Sequence, residues 1–201
     1  MSDKDPITPP GQHVEEVDSS SNPSVVRQII EFVLTLAVAY FVAMGVRAWV
    51  IQPFVVPTGS MLPTIQLSDQ VLANKFIYRF ERPQRGDIVV LDDPDGLMGT
   101  LIKRVIAVGG QTVDLQDGKV VVNGTPLVEP YTYGQPSEPI HRGDAKNISY
   151  PYRVPDDSVW VMGDNRTSSQ DSRYFGAVPL SSVHGKAFAI YWPWSRIGAL
   201  R

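Results

Sequence analysis

The longest apolar run in the chain lies near its start. Residues 29–46 carry a single charge, Glu31. As a helix, 18 residues span roughly 27 Å, close to the hydrocarbon thickness of a bilayer. The apolar character resumes after Arg47 in Ala48-Trp49-Val50-Ile51. Arg27, Glu31 and Arg47 stand near the ends, where charged heads reach an interface, and Trp49 suits an interfacial anchor. The pattern predicts a membrane-spanning signal anchor over 27–51. A helix buried in a soluble core would need other helices around it, and no other segment offers them. A cleaved signal peptide would have a short basic start and a shorter apolar run. Each flank holds one arginine, Arg27 before and Arg47 after, so the positive-inside rule does not fix the orientation.

From residue 52 onward the apolar period shortens to that of strands. Residues 71–77, 87–91, 101–108, 112–115, 119–122, 158–162 and 186–192 read as β. Asp117-Gly118 between two of these runs signals a tight hairpin, and Asn123-Gly124 marks the next turn. Residues 126–156 are rich in Pro, Tyr and polar groups and look like a long departure from the sheet. Strands do not alternate with long helices, which disfavours a parallel α/β fold. The expected fold class is all-β: an antiparallel-sheet domain over 52–201, with a smaller β excursion over 108–157, after one N-terminal transmembrane helix. The aromatic end, Ala189-Ile190-Tyr191-Trp192-Pro193-Trp194, reads as a core strand closing in a packed corner, or as a membrane-surface contact.

Composition narrows the chemistry. The chain has 201 residues, 43% apolar and 19% charged, enough to bury a core. Its net charge is −3, and no basic patch suggests nucleic acid. Residues 1–26 hold Asp3, Asp5, Glu15, Glu16 and Asp18 against Lys4 alone. With Pro9-Pro10 and a serine run, they read as a disordered leader. The absence of cysteine excludes disulfides, thiolate metal sites and a cysteine nucleophile. His13, His141 and His184 are scattered without ligand spacing, so neither a metal nor another cofactor is expected.

Two segments together suggest a nucleophile and its base. In Pro57-Thr58-Gly59-Ser60-Met61-Leu62-Pro63-Thr64, the glycine lets backbone approach a ligand while prolines stiffen both sides. A serine held so could be a nucleophile with N–H groups beside it for an oxyanion. A plain linker after the helix would look similar. No histidine has a motif around it. In the strand 101–107, however, Lys103 alternates with Leu101 and Val105. A lysine among apolar neighbours loses its proton more easily, and the neutral amine can accept a serine proton. A lysine snorkelling at a strand end is the unremarkable counterpart. A third segment, 163–176, is dense in hydrogen-bonding side chains, and Arg85-Gly86-Asp87 opens a strand.

These segments, in this order after a membrane helix, resemble the conserved boxes of bacterial type I signal peptidases. The matching residues are Ser60-Met61-Leu62-Pro63-Thr64, Arg85-Gly86-Asp87-Ile88-Val89-Val90, Lys103-Arg104-Val105-Ile106-Ala107, and Gly163-Asp164-Asn165-Arg166 with Ser169, Asp171-Ser172-Arg173 and Gly176. The resemblance covers roughly residues 28–195. It implies a membrane-anchored serine endopeptidase with a Ser/Lys dyad that removes signal peptides after small residues of the Ala-X-Ala type. Ser60 would be the nucleophile and Lys103 its general base. Thr58 would complete the oxyanion hole with the Ser60 N–H. Ser169 would orient the lysine amine, and Asp171 and Arg173 would form a supporting ion pair. Phe54, Val56 and Ile102 would line shallow substrate pockets.

The implied substrates are secretory precursors, and the implied surroundings are a bacterial plasma membrane, a single pass, and a catalytic domain on the outer side. The translocon is a further expected partner. Ser60 follows Val46 by 14 residues, which predicts a site near the membrane plane. Some relatives have two membrane segments where this chain has one. Two rivals differ in kind. A self-cleaving repressor of the same fold would carry a DNA-binding domain where this chain has its apolar helix. A peptide-binding module would keep the fold without the chemistry.

Overall fold

The computed structural model describes residues 23–97, 99–140 and 146–200. The leader up to residue 22, with His13, and His141 lie outside the described residues. Helix α1 runs Pro23–Trp49, so 23–26 belong to the helix and not to the leader. Proline is well tolerated in a first turn, where its missing N–H has no partner anyway. Ser24–Gly45 is long and apolar enough to cross a membrane by length and composition. Side chains along α1 such as Phe32, Leu34 and Phe41 are exposed, not packed into a core. Arg27 and Glu31 pair one turn apart at 2.8 Å. Ile51, at the end of the apolar run, leaves the helix and opens a strand.

The rest of the chain is antiparallel β. Its strands are β1 (Ile51–Val55), β2 (Gln70–Asn74), β3 (Ile88–Asp92), β4 (Thr100–Val108), β5 (Thr112–Gln116), β6 (Lys119–Val122), β7 (Thr125–Pro126), β8 (Tyr152–Arg153), β9 (Ser158–Met162), β10 (Val178–Pro179), β11 (Val183–Trp192) and β12 (Gly198–Ala199). The larger sheet has the order β1-β2-β11-β3-β4-β9-β10, with β12 also on β11. The smaller sheet has the order β7-β6-β5-β8. It is inserted between β4 and β9, which pair directly with each other.

Local chemistry explains the corners. Asp117 (φ 49°) and Gly118 (φ 74°) both occupy the left-handed region that a two-residue hairpin requires. The predicted strand 71–77 stops at Asn74 instead. The Asn74 side chain accepts the N–H groups of Phe76 and Ile77 and turns the chain into a short 3₁₀ segment, Ile77–Arg79. A side chain that offers such bonds competes with the sheet ladder.

β3 is buried on both faces, and alternation distributes its residues. Ile88 and Val90 join Val56, Met61, Ile65 and Val71 in one core cluster. Val89 and Leu91 join Leu101, Val105 and Val161 in a second. A third cluster, around Trp160, binds the two sheets together through Ile106, Val113 and Val122. The aromatic end divides between the two sequence readings. Ile190 is buried, whereas Trp192 and Trp194 are exposed, so no packed corner forms there.

Candidate active site

Ser60 lies in the loop between β1 and β2. That loop is closed at its base by Val56 N–H to Asp69 O (2.9 Å) and Ser68 N–H to Val56 O (2.9 Å). Met61 and Ile65 anchor it by burying in the first core cluster. The apolar residues therefore fix the loop, while Ser60 stays only partly buried.

β4 delivers the lysine. Lys103 lies opposite Val89 in the β3–β4 ladder and is 2% exposed. Its Nζ is 2.7 Å from Ser60 Oγ. Loss of solvation pulls the amine down from its usual 10.5 to about 8. The charges of Asp171 and Asp93 raise it again in part, and Arg173 lowers it further. At that distance a neutral amine accepts the serine proton directly. His184, by contrast, bonds Asp92 at 2.6 Å on β3.

The other predicted residues gather around this pair. Thr58 Oγ1 donates to Ser60 Oγ at a long 3.4 Å. Phe54, Val56 and Ile102 line one small cavity of about 120 Å³ with Thr58 and Ser60. Met61, Val90 and Leu101, for which the sequence gave no site signal, line it too. Asp171 and Arg173 form a buried fork at 2.9 Å on both arms. Burial would raise the Asp171 pKa, but the Arg173 charge and hydrogen bonds, the Gly163 N–H and the neighbouring Ser169 hydroxyl hold it below the usual carboxylate range. Ser169 Oγ is buried beside that carboxylate without a hydrogen bond of full geometry, to Lys103 or to any other group. The expected lysine–Ser169 bond is thus not formed.

Gly163 explains how these groups fit. A Cβ there would sit 2.3 Å from Ser169 Oγ and 2.4 Å from the Ser60 carbonyl oxygen. Only a residue without a side chain lets β9 run this close to the serine loop.

Several residues of the site escaped the sequence reading. Arg104 makes a buried fork with Asp164, 2.8 Å on each arm, and stacks over the Tyr131 ring at 4.1 Å. Asp164 also accepts the Thr64 hydroxyl, tying the serine loop to the end of β9. Arg166 forks onto Glu129 (2.6 and 2.8 Å) and donates to Ser137 (2.6 Å), tying that segment to the excursion. Asn165 Nδ2 donates to Gly59 O (3.0 Å) and its backbone N–H to Ser60 O (3.1 Å). Charge pairs this far apart in sequence leave no periodic trace. A larger cavity of about 520 Å³ lies against Glu138, Arg166, Ser169 and Arg173, but contains neither Ser60 nor Lys103.

The arrangement can therefore activate one hydroxyl with one buried amine beside an apolar recess. Comparison with known proteins agrees with this chemistry. The family described as signal peptidase, peptidase S26, matches residues 29–192. Signal peptidase I of Leptolyngbya laminosa is 35% identical over 202 residues, covering 97% of this chain and 93% of the relative. Signal peptidase I of Mycobacterium tuberculosis (strain H37Rv) is 34% identical over 227 residues, covering 89% and 76%. A crystal structure of a signal peptidase I from Enterococcus faecalis is 31% identical, with a TM-score of 0.41, covering 53% of this chain and 97% of that one. The match across most of its length places this chain in the S26 family of signal peptidases, which are serine endopeptidases.

Proposed function

We propose that this peptidase is anchored in a bacterial plasma membrane by α1 and removes signal peptides from secretory precursors with a Ser60/Lys103 dyad. The observation that carries the proposal is the buried Lys103 amine 2.7 Å from Ser60 Oγ, beside the recess of Phe54, Val56 and Ile102. An apolar space of about 120 Å³ suits small P1 and P3 side chains of the Ala-X-Ala type and excludes large ones.

The precursor's cleavage segment adds by main-chain hydrogen bonds to a sheet edge beside the recess. Lys103 Nζ takes the Ser60 proton as Oγ attacks the scissile carbonyl. Thr58 Oγ1 and the Ser60 N–H stabilise the oxyanion. The lysine then gives its proton to the leaving amine, and water, activated by the same amine, releases the acyl group. Asp171 and Arg173 hold the frame, and Ser169 orients the amine during the reaction. Exposed Tyr191, Trp192 and Trp194 suit contact with a bilayer surface. The catalytic domain then stands on the outer side of a single-pass anchor, where precursors emerge from a translocon.

The test is cleavage of a secretory precursor by the detergent-solubilised chain beside Ser60→Ala and Lys103→Arg. Wild type is expected to cut after an Ala-X-Ala site, and both variants to be inactive, since guanidinium cannot serve as a base. Wild-type turnover by either variant would refute the dyad. A folded wild type that binds the precursor without cutting it would favour a binding module.

A further inference from the structure

The search for further chemistry returns to a side chain that touches neither Lys103 nor the recess. Asn165 holds the serine loop at two successive carbonyls. Its amide Nδ2 donates to Gly59 O at 3.0 Å, and its own backbone N–H donates to Ser60 O at 3.1 Å. The Gly59 carbonyl and the Ser60 N–H belong to one planar trans peptide unit. They point in opposite directions, so pinning the carbonyl on Asn165 turns the N–H away from it. Among the described residues, that N–H donates to no protein acceptor. A donor on the carbonyl also polarises the amide and makes its N–H a stronger donor.

We propose that Asn165 is a positioning residue that aims and strengthens the Ser60 N–H as an oxyanion donor. The inference rests on Ser60 being the nucleophile. A purely structural role is less consistent with the surroundings. Asp164, one residue earlier, is already fixed by the Arg104 fork and Thr64, and Arg166, one residue later, by Glu129. Removing the Asn165 side chain leaves those anchors and its backbone bond to Ser60 in place. The Thr167 hydroxyl, 3.5 Å from Asn165 Oδ1, agrees with the amide nitrogen facing Gly59.

The experiment compares the full chain in detergent micelles with Asn165→Ala and Asn165→Asp. Gly59-Ser60 is the only Gly-Ser step in the sequence. Labelling glycine carbonyl carbon and serine nitrogen therefore gives a single correlated NMR signal, from this peptide unit. In both variants the Gly59 carbonyl carbon and Ser60 amide proton are expected to move upfield. On a precursor peptide kcat should fall about 10- to 100-fold, the lower range for a weakened oxyanion donor. KM should stay within about twofold, and the pH midpoint set by Lys103 should not move. Asp should be worse than Ala, because a carboxylate opposes the carbonyl it faces. An unmoved signal, an unchanged kcat, or a loss carried by KM would overturn the proposal. Should the Ala variant not fold, the isosteric Asp variant carries the same readouts. In wild type alone, a Gly59 carbonyl shift typical of an unbonded amide would also overturn it. If Ser60→Ala keeps activity, it is the nucleophile assignment that falls. If Ser60→Ala is inactive and the Asn165 variants match wild type, the positioning role alone falls.

Discussion

Replacing Lys103 by methionine should abolish turnover and at the same time stabilise the protein near neutral pH. The amine is 2% exposed, and burial lowers its pKa from 10.5 to about 8. Each pH unit of such a difference corresponds to about 1.4 kcal/mol, so charging Lys103 in the fold costs up to about 3 kcal/mol. The sign follows from proton binding. Between pH 8 and 10.5 the unfolded chain holds more protons at this site than the folded one, so wild-type stability rises with pH across that window. Below about 8 the full cost is present, and above 10.5 it is gone. Methionine has a similar volume and no charge, although it forfeits the bond to Ser60, worth about 1 kcal/mol. The net gain at pH 7 should be about 2 kcal/mol. Denaturant unfolding of both full chains in detergent measures this from pH 6 to 10.5, with the fluorescence of buried Trp160 as a reporter. The stability difference should shrink steadily above pH 8. A variant that is less stable than wild type by an amount independent of pH would refute a desolvated lysine. The same value predicts an about tenfold rise in kcat/KM between pH 7 and 9, as the neutral amine fraction grows.

Three further outcomes follow from the packing. Gly163→Ala should cut kcat about 100-fold or more, because the new Cβ overlaps the Ser60 carbonyl and Ser169; wild-type kinetics would show that the loop yields freely. Asp164→Ala should destabilise the domain by about 3–5 kcal/mol, since it strands the buried Arg104 guanidinium. Unfolding in denaturant measures this, and a loss below about 1 kcal/mol would mean that water or another acid compensates. Ile102→Ala should enlarge the recess and let precursor peptides with Val or Leu at the cleavage position be cut. An unchanged preference across a peptide series would remove Ile102 from the specificity pocket.

The chemistry was legible where it was local. Ser60 announces itself by the glycine and prolines around it, and Lys103 by an ion in a strand of apolar residues. The hairpins at Asp117-Gly118 and Asn123-Gly124 are written in two residues each, because few residue types adopt positive φ. The arginine–carboxylate forks are different. Arg104 and Asp164 are 60 positions apart, and Arg166 and Glu129 are 37 apart. Each residue alone reads as an ordinary surface charge, and only the fold buries and pairs them. The short strands β7, β8, β10 and β12 also escaped, since two residues cannot display a period.

The sequence by itself determined the apolar helix, the β character of all that follows and the two reactive residue types. These depend on spacing of a few residues, which side-chain periodicity and turn geometry record directly. The tertiary structure alone decided that Lys103 reaches Ser60, that Gly163 makes room for both, and that Asn165 holds the peptide between Gly59 and Ser60. Those relations join segments more than 40 residues apart. Their geometry follows from how the strands register and how the core fills, which no local pattern encodes.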